Sequence, residues 1–118
     1  MSDTMKPNMK TCITACWECR DECQTMLYTH CLQMGGKHVE AEHVKLMTDC
    51  IQICQASADF MTRSSSMHQA VCEACAQICE ACAKSCEKIG GPEMQKCADT
   101  CRKCAASFRE MSEHRKAA

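Results

Sequence analysis

Fifteen cysteines and ten methionines stand in a chain of 118 residues. Thiolate and thioether sulfur are ligands for soft metal ions, and thiolates also hold iron–sulfur clusters. The spacing of these residues narrows the chemistry. One run reads His68, Cys72, Cys75, Cys79, Cys82, Cys86, and another Met94, Cys97, Cys101, Cys104, Phe108, Met111. A third reads His43, Met47, Cys50, Cys54, Ser57, Met61, and the first in the chain Met9, Cys12, Cys16, Cys19, Cys23, Met26, His30. All four alternate steps of three and four residues, the inward seam of a helical bundle. Fourteen of the 15 cysteines lie on these stripes, and Cys31 is out of phase by one residue from His30.

A buried thiol can serve as a small hydrophobe. Packing alone does not account for sulfur at nearly every seam position, because leucine there would bury more apolar area. Cysteines four apart on a helix have Cβ atoms about 5–6 Å apart on one face. The pairs Cys12/Cys16, Cys19/Cys23, Cys50/Cys54, Cys75/Cys79, Cys82/Cys86 and Cys97/Cys101 are therefore placed to bracket a soft ion. Cu(I) accepts two or three thiolate or thioether ligands, whereas zinc asks for a closed set of four. A continuous seam of thiols suits many Cu(I) ions per chain, at about one per cysteine if each thiolate bridges two ions. Methionine and histidine gather toward the seam ends. Met9, Met61, His68 and Met111 are expected at one end, and Met26, His30, His43, Met47 and Met94 nearer the other. Neutral thioether and imidazole release Cu(I) more readily than a bridging thiolate, so either end can serve as the copper entrance. The first is the expected one because it adjoins the longer Ser64-Ser65-Ser66 connection, and the end with His30, His43 and Met94 is its rival.

Other sulfur chemistries compete. Zinc buffering, iron–sulfur carriage and a disulfide-stabilised interaction module all use the same residues. Three Cys-x3-Cys-x2-Cys runs have the spacing of a radical cluster motif, but that motif belongs on the loops of a large barrel. No Cys-x-x-Cys is followed by His, which removes c-type haem attachment, and no βαβ pattern supports a redox Cys-x-x-Cys. No nucleophile–base set or phosphate-cradling loop stands out, so the chain is not expected to be an enzyme.

The elements that must hold this seam are helices. Segments run from about Asn8 to Met34, Val39 to Arg63, Met67 to just before Gly90, and Pro92 to about His114. Gly35-Gly36 and Gly90-Gly91 are stop signals, Ser66 a candidate N-cap, and Pro92-Glu93 a helix opening. Four helices with short connections predict an all-α fold, an antiparallel up-down-up-down four-helix bundle with a cysteine-lined core. The chain, 1–118, is one domain, with residues 1–7 and 115–118 expected as loose tails. Leu, Ile, Val and Phe together number only 13, so sulfur supplies much of the core. The net charge of -1 gives no footprint for nucleic acid. No apolar run is long enough for a membrane span and no secretory signal is visible, so a reducing cytoplasm is the expected compartment, where cysteine-rich patterns favour metal over disulfide.

The stripes Cys12/Cys16/Cys19/Cys23, Cys50/Cys54, Cys72/Cys75/Cys79/Cys82/Cys86 and Cys97/Cys101/Cys104 resemble those of the copper storage protein (Csp) family, in its cytosolic branch. The segment from Cys72 to Cys86 is especially similar, and the resemblance runs from about Met9 to Met111. It implies Cu(I) storage by these thiolates inside each bundle and a homotetramer of bundles. Cys31, His68, Met61, Met111, His30 and His43 complete the expected ligand set. A copper chaperone or a low-molecular-weight thiol is the expected donor. Ser57, Phe108 and Met61 stand where a fuller series would place cysteine.

Overall fold

The structure, a computed structural model, describes residues 7–117. Helix α1 spans Pro7–Met26 and continues through a π turn, Leu27–Cys31, into the three-residue α2, Leu32–Met34. A 3-10 turn at Gly36–Val39 leads into α3, Ala41–Thr62, followed by α4, His68–Ile89, and α5, Pro92–Ala117. The expected tail at residues 1–6 and Ala118 lies outside the described residues. Pro7 already belongs to α1, and α5 continues past His114.

Each rod packs mainly on its two neighbours: α1 on α3 and α5, and α4 on α3 and α5. Close contacts fix the antiparallel sense. Along α1, Cys16, Cys19 and Cys23 meet Cys104, Cys101 and Cys97 of α5 in reverse order. Along α3, Met47, Cys50 and Cys54 meet Cys82, Cys79 and Cys75 of α4, again reversed. The result is the expected four-rod bundle, 49 × 23 × 19 Å.

Turn chemistry follows the sequence at two corners. Gly35 and Gly90 adopt φ of 68° and 84°, conformations open to glycine. Their amides donate to Cys31 O and Cys86 O, capping the preceding helices. The third corner departs from expectation. Ser66 does not cap α4. Met67 holds the cap position, its amide donating to Ser65 Oγ, and Ser64 takes the left-handed φ of 56°.

The seam is lined by small residues. Ala15, Ala58, Ala76, Ala83, Ala98 and Ala105 are all at most 3% exposed and stand beside seam positions. Their size lets the rods approach until short cysteine side chains meet in the middle. Ile13, Trp17, Ile51, Ile53 and Ile78 pack against this core from its flanks. Surface ion pairs tie α5 to its neighbours: Arg102 to Glu87, Arg109 to Glu80, and Lys103 to Glu18. Exposed pairs of this kind contribute little individually.

Candidate metal centre

All fifteen cysteines are buried free thiols, none more than 3% exposed. Their sulfurs form a column down the bundle axis. At its centre Cys19 Sγ lies 3.6 Å from Cys50 Sγ, 3.7 Å from Cys101 Sγ and 4.0 Å from Cys79 Sγ. Cys23 Sγ meets Cys101, Cys97 and Cys50 at 3.5, 3.7 and 3.8 Å. Cys54 Sγ meets Cys75 and Cys79 at 3.7 Å each, and Cys104 Sγ lies 3.7 Å from Cys16 Sγ. These separations are far beyond a disulfide bond of about 2.05 Å. They match ligands around a shared ion: with metal–sulfur bonds of about 2.3 Å, trigonal neighbours lie about 4.0 Å apart and tetrahedral ones about 3.8 Å.

Most of these contacts cross between helices. Of the pairs four apart on one helix, Cys75 and Cys79 touch at 3.8 Å. The ion-bracketing unit expected from spacing within one helix is thus mainly an interhelical one. Three groups of four thiols gather within 4.8 Å: Cys19, Cys50, Cys54, Cys79; Cys19, Cys23, Cys50, Cys101; and Cys54, Cys75, Cys79, Cys104. The first shares two members with each of the others, so only two closed four-thiolate sites can be filled together. Bridging ligands remove that limit.

Electrostatics favours bridging by a monovalent ion. A buried ionic charge is costly unless compensated. A tetrathiolate zinc site carries a net charge of about -2 in the dry core. One Cu(I) per thiolate is neutral along the whole column. Without metal the thiols share protons. Cys12 is drawn down to about 4, first by its hydrogen bond with Cys16 and then by Cys72. Cys16 is pushed up, first by Cys104 and then by Cys12. The same alternation recurs in Cys19/Cys23, Cys75/Cys79, Cys82/Cys86 and Cys97/Cys101, with hydrogen bonds between thiols as the leading cause. A thiolate is stabilised by the S–H groups of the thiols around it, chiefly Cys101 for Cys19 and Cys104 for Cys75, and its neighbours then hold their protons.

The column changes character toward the α2 end. Met47 Sδ accepts from Cys82 at 3.5 Å and Cys86 at 3.7 Å. Beyond it Cys31 is fully buried, against the expectation that it falls outside the seam. The physical reason is the π turn. Leu32 N–H reaches back five residues to Leu27 O, so one extra residue is accommodated and the seam position passes from His30 to Cys31. His30 is half-buried and packs edge-on against His38, with ring centroids 5.2 Å apart. His43 is buried and its pKa is lowered, chiefly by desolvation. Cys31 is pushed up to about 11, first by burial.

At the opposite end Met61 and Met111 are buried beside the core, with Phe108 among them. His68 is half-buried, its Nδ1 2.8 Å from Ser65 O. Ser57 occupies its seam position fully buried, and its hydroxyl finds no hydrogen-bond partner among the described residues. Met47 and Met94 lie on the seam as the spacing predicts, with Cys82, Cys86 and Cys31 as the partners that spacing does not name. The feature that escaped the sequence reading is the set of alanines that bring the rods together. The alanines did carry a signal, since Ala76, Ala83, Ala98 and Ala105 each directly follow a seam cysteine.

A family model described as copper storage protein (Csp) matches residues 5–113. Among solved structures, a protein of Nitrosospira multiformis is 49% identical, with a TM-score of 0.85 over 90% of this chain and 95% of that one. The Cu(I)-bound copper storage protein BsCsp3 is 33% identical, with a TM-score of 0.81 over 88% and 97%. Metal-free Csp3 from Bacillus subtilis is also 33% identical, with a TM-score of 0.77 over 86% and 96%. No curated protein sequence matches this chain. No helix among the described residues is long and apolar enough to cross a membrane.

Proposed function

The chain belongs to the copper storage protein family, and from that footing we propose that it stores Cu(I) as a charge-neutral column of about one ion per thiolate. The observation that carries this reading is the overlap of the four-thiol groups. Cys19, Cys50, Cys54 and Cys79 each belong to two of them, which suits bridging ligands and not separate closed sites. The ligands are Cys12, Cys16, Cys19, Cys23, Cys50, Cys54, Cys72, Cys75, Cys79, Cys82, Cys86, Cys97, Cys101, Cys104 and Cys31. Met61, Met111 and His68 form the entrance beside the Ser64–Ser66 corner, where neutral donors pass ions inward. Storage, not catalysis, is the family's role.

The working protein is a cytoplasmic homotetramer of bundles, filled by a copper chaperone or a low-molecular-weight thiol. A column closed off in this way keeps Cu(I) from redox cycling and from displacing other metals.

Anaerobic addition of Cu(I), followed by thiolate-to-copper charge-transfer absorbance, tests the storage reading. The absorbance should rise linearly to about 15 equivalents per chain, one for each cysteine. A break at four equivalents or fewer would overturn it. Replacing Met61, Met111 and His68 by leucine should slow uptake in stopped flow while leaving the final capacity nearly unchanged, and unchanged uptake would move the entrance elsewhere. Light scattering of the eluting protein should give four 13.1 kDa chains per particle, and a monomer mass would remove the tetramer.

A further inference from the structure

We propose that Cys31, His43 and Met94 form a separate mononuclear Cu(I) site at the α2 end of the bundle, distinct in ligand chemistry from the thiolate column. The inference rests on the storage reading above and deepens it: of the fifteen thiolates counted there, it gives Cys31 an ion and a ligand set of its own.

Cys31 Sγ lies 3.6 Å from His43 Nε2 and 3.8 Å from Met94 Sδ. Two donors bonded to one ion at about 2.1 and 2.3 Å, at 120°, stand about 3.8 Å apart, and two sulfurs about 4.0 Å. The observed separations are within a few tenths of an ångström of those values. All three side chains are at most 3% exposed. They come from three different rods: the π turn, α3 and α5.

The imidazole is already aimed. His43 Nδ1 lies 2.8 Å from Ser85 Oγ on α4. With Nδ1–H donating to that hydroxyl, the lone pair of Nε2 faces Cys31. A partner on the far ring nitrogen that fixes tautomer and orientation is the usual support of a ligating histidine.

Charge separates this site from the column. In the column, a Cu(I) ion held by two unshared thiolates would carry a net negative charge, so thiolates must be shared for neutrality. Here one thiolate, one neutral imidazole and one neutral thioether already balance a single Cu(I). The two donor contacts of Cys31 are accordingly an imidazole and a thioether, not a second thiol. On loading, the Cys31 S–H proton leaves to solvent as the Cu–S bond forms, and copper stays Cu(I).

Position supports the assignment. Among the described residues the π turn is the one irregularity within the four rods, and its effect is to place Cys31 against His43. Regular α geometry would have put His30 there.

The test uses the full-length chain, nitrogen-15 labelled, titrated anaerobically with Cu(I) supplied as its acetonitrile complex. Ring nitrogens are followed by long-range proton–nitrogen NMR, with His43 assigned from its loss in His43→Gln. Its Nε2 resonance should move from the position of a bare ring nitrogen to that of a metal-bound one as a single step. Cys31→Ala should abolish the movement and lower total capacity by one ion. Met94→Leu, close in volume and compatible with folding, should keep the movement but require at least tenfold more free Cu(I). A His43 resonance that stays fixed while the column fills would overturn the site, as would a normal response in Cys31→Ala. Failure to take up more than four ions would instead overturn the storage reading itself.

Discussion

Cys23 and Cys101 bring their sulfurs to 3.5 Å from positions 78 residues apart, with both side chains fully buried. Two thiols at that distance in a dry tube cannot both ionise freely, yet both are placed to hold one ion. Loading therefore means exchanging protons for metal, and the capacity of the column depends on how many such contacts remain connected.

Replacing Cys75, Cys79 and Cys82 together by alanine should remove several ions at once. Cys75 and Cys79 sit in the group that also holds Cys54 and Cys104, and Cys82 leads to Met47. Alanine is preferred to serine, whose buried hydroxyls would each cost about 1–3 kcal/mol if unpaired. Circular dichroism should still report a helical chain, and copper analysis a loss of three or more ions. Full capacity in this variant would refute the assignment of the column.

Uptake should release protons and weaken in acid. The second thiol of each pair, such as Cys16 or Cys23, is pushed up by its neighbours and stays protonated near neutrality. Its proton must leave for copper to bind, so affinity falls as pH falls. Competition with a chelator of known affinity between pH 8.5 and 6.5 should show about half to one proton released per ion. A pH-independent affinity would contradict the protonated state assigned to these thiols.

Ser57 offers a test of the seam in both directions. Its hydroxyl is buried without a partner, so Ser57→Ala should raise Tm of the metal-free protein by roughly 2–8 °C with capacity unchanged. Ser57→Cys should add about one ion. A fall in Tm for the alanine variant would mean that the hydroxyl is satisfied.

Much of this organisation is legible in the sequence. The four stripes, the glycine stops and the Pro92 opening describe the rods closely, because seam periodicity and cap chemistry are local. What is not local is harder to read. The partner of Cys23 on another helix depends on rod register, which the alanines and tight corners set together. The π turn is carried by no strong propensity in Leu27–Cys31; its trace is the single cysteine out of phase. Ser66 failed as a cap because the preceding corner turns through Ser64, delaying α4 to His68.

That trace can be tested. Deleting Thr29, an exposed residue of the π turn, should restore α geometry with Cys31 still facing inward. Capacity should hold to within one ion and Tm to within a few degrees. Loss of two or more ions would show that the π turn does more than absorb one residue.

Native mass spectrometry of the anaerobically loaded chain, in the presence of a competing Cu(I) chelator, tests the neutral column most directly, because it counts ions and protons together. The account predicts a dominant species with about 15 copper ions per chain, each adding the mass of one copper less one proton. A species holding four ions or fewer, or one whose copper arrives without loss of protons, would contradict it.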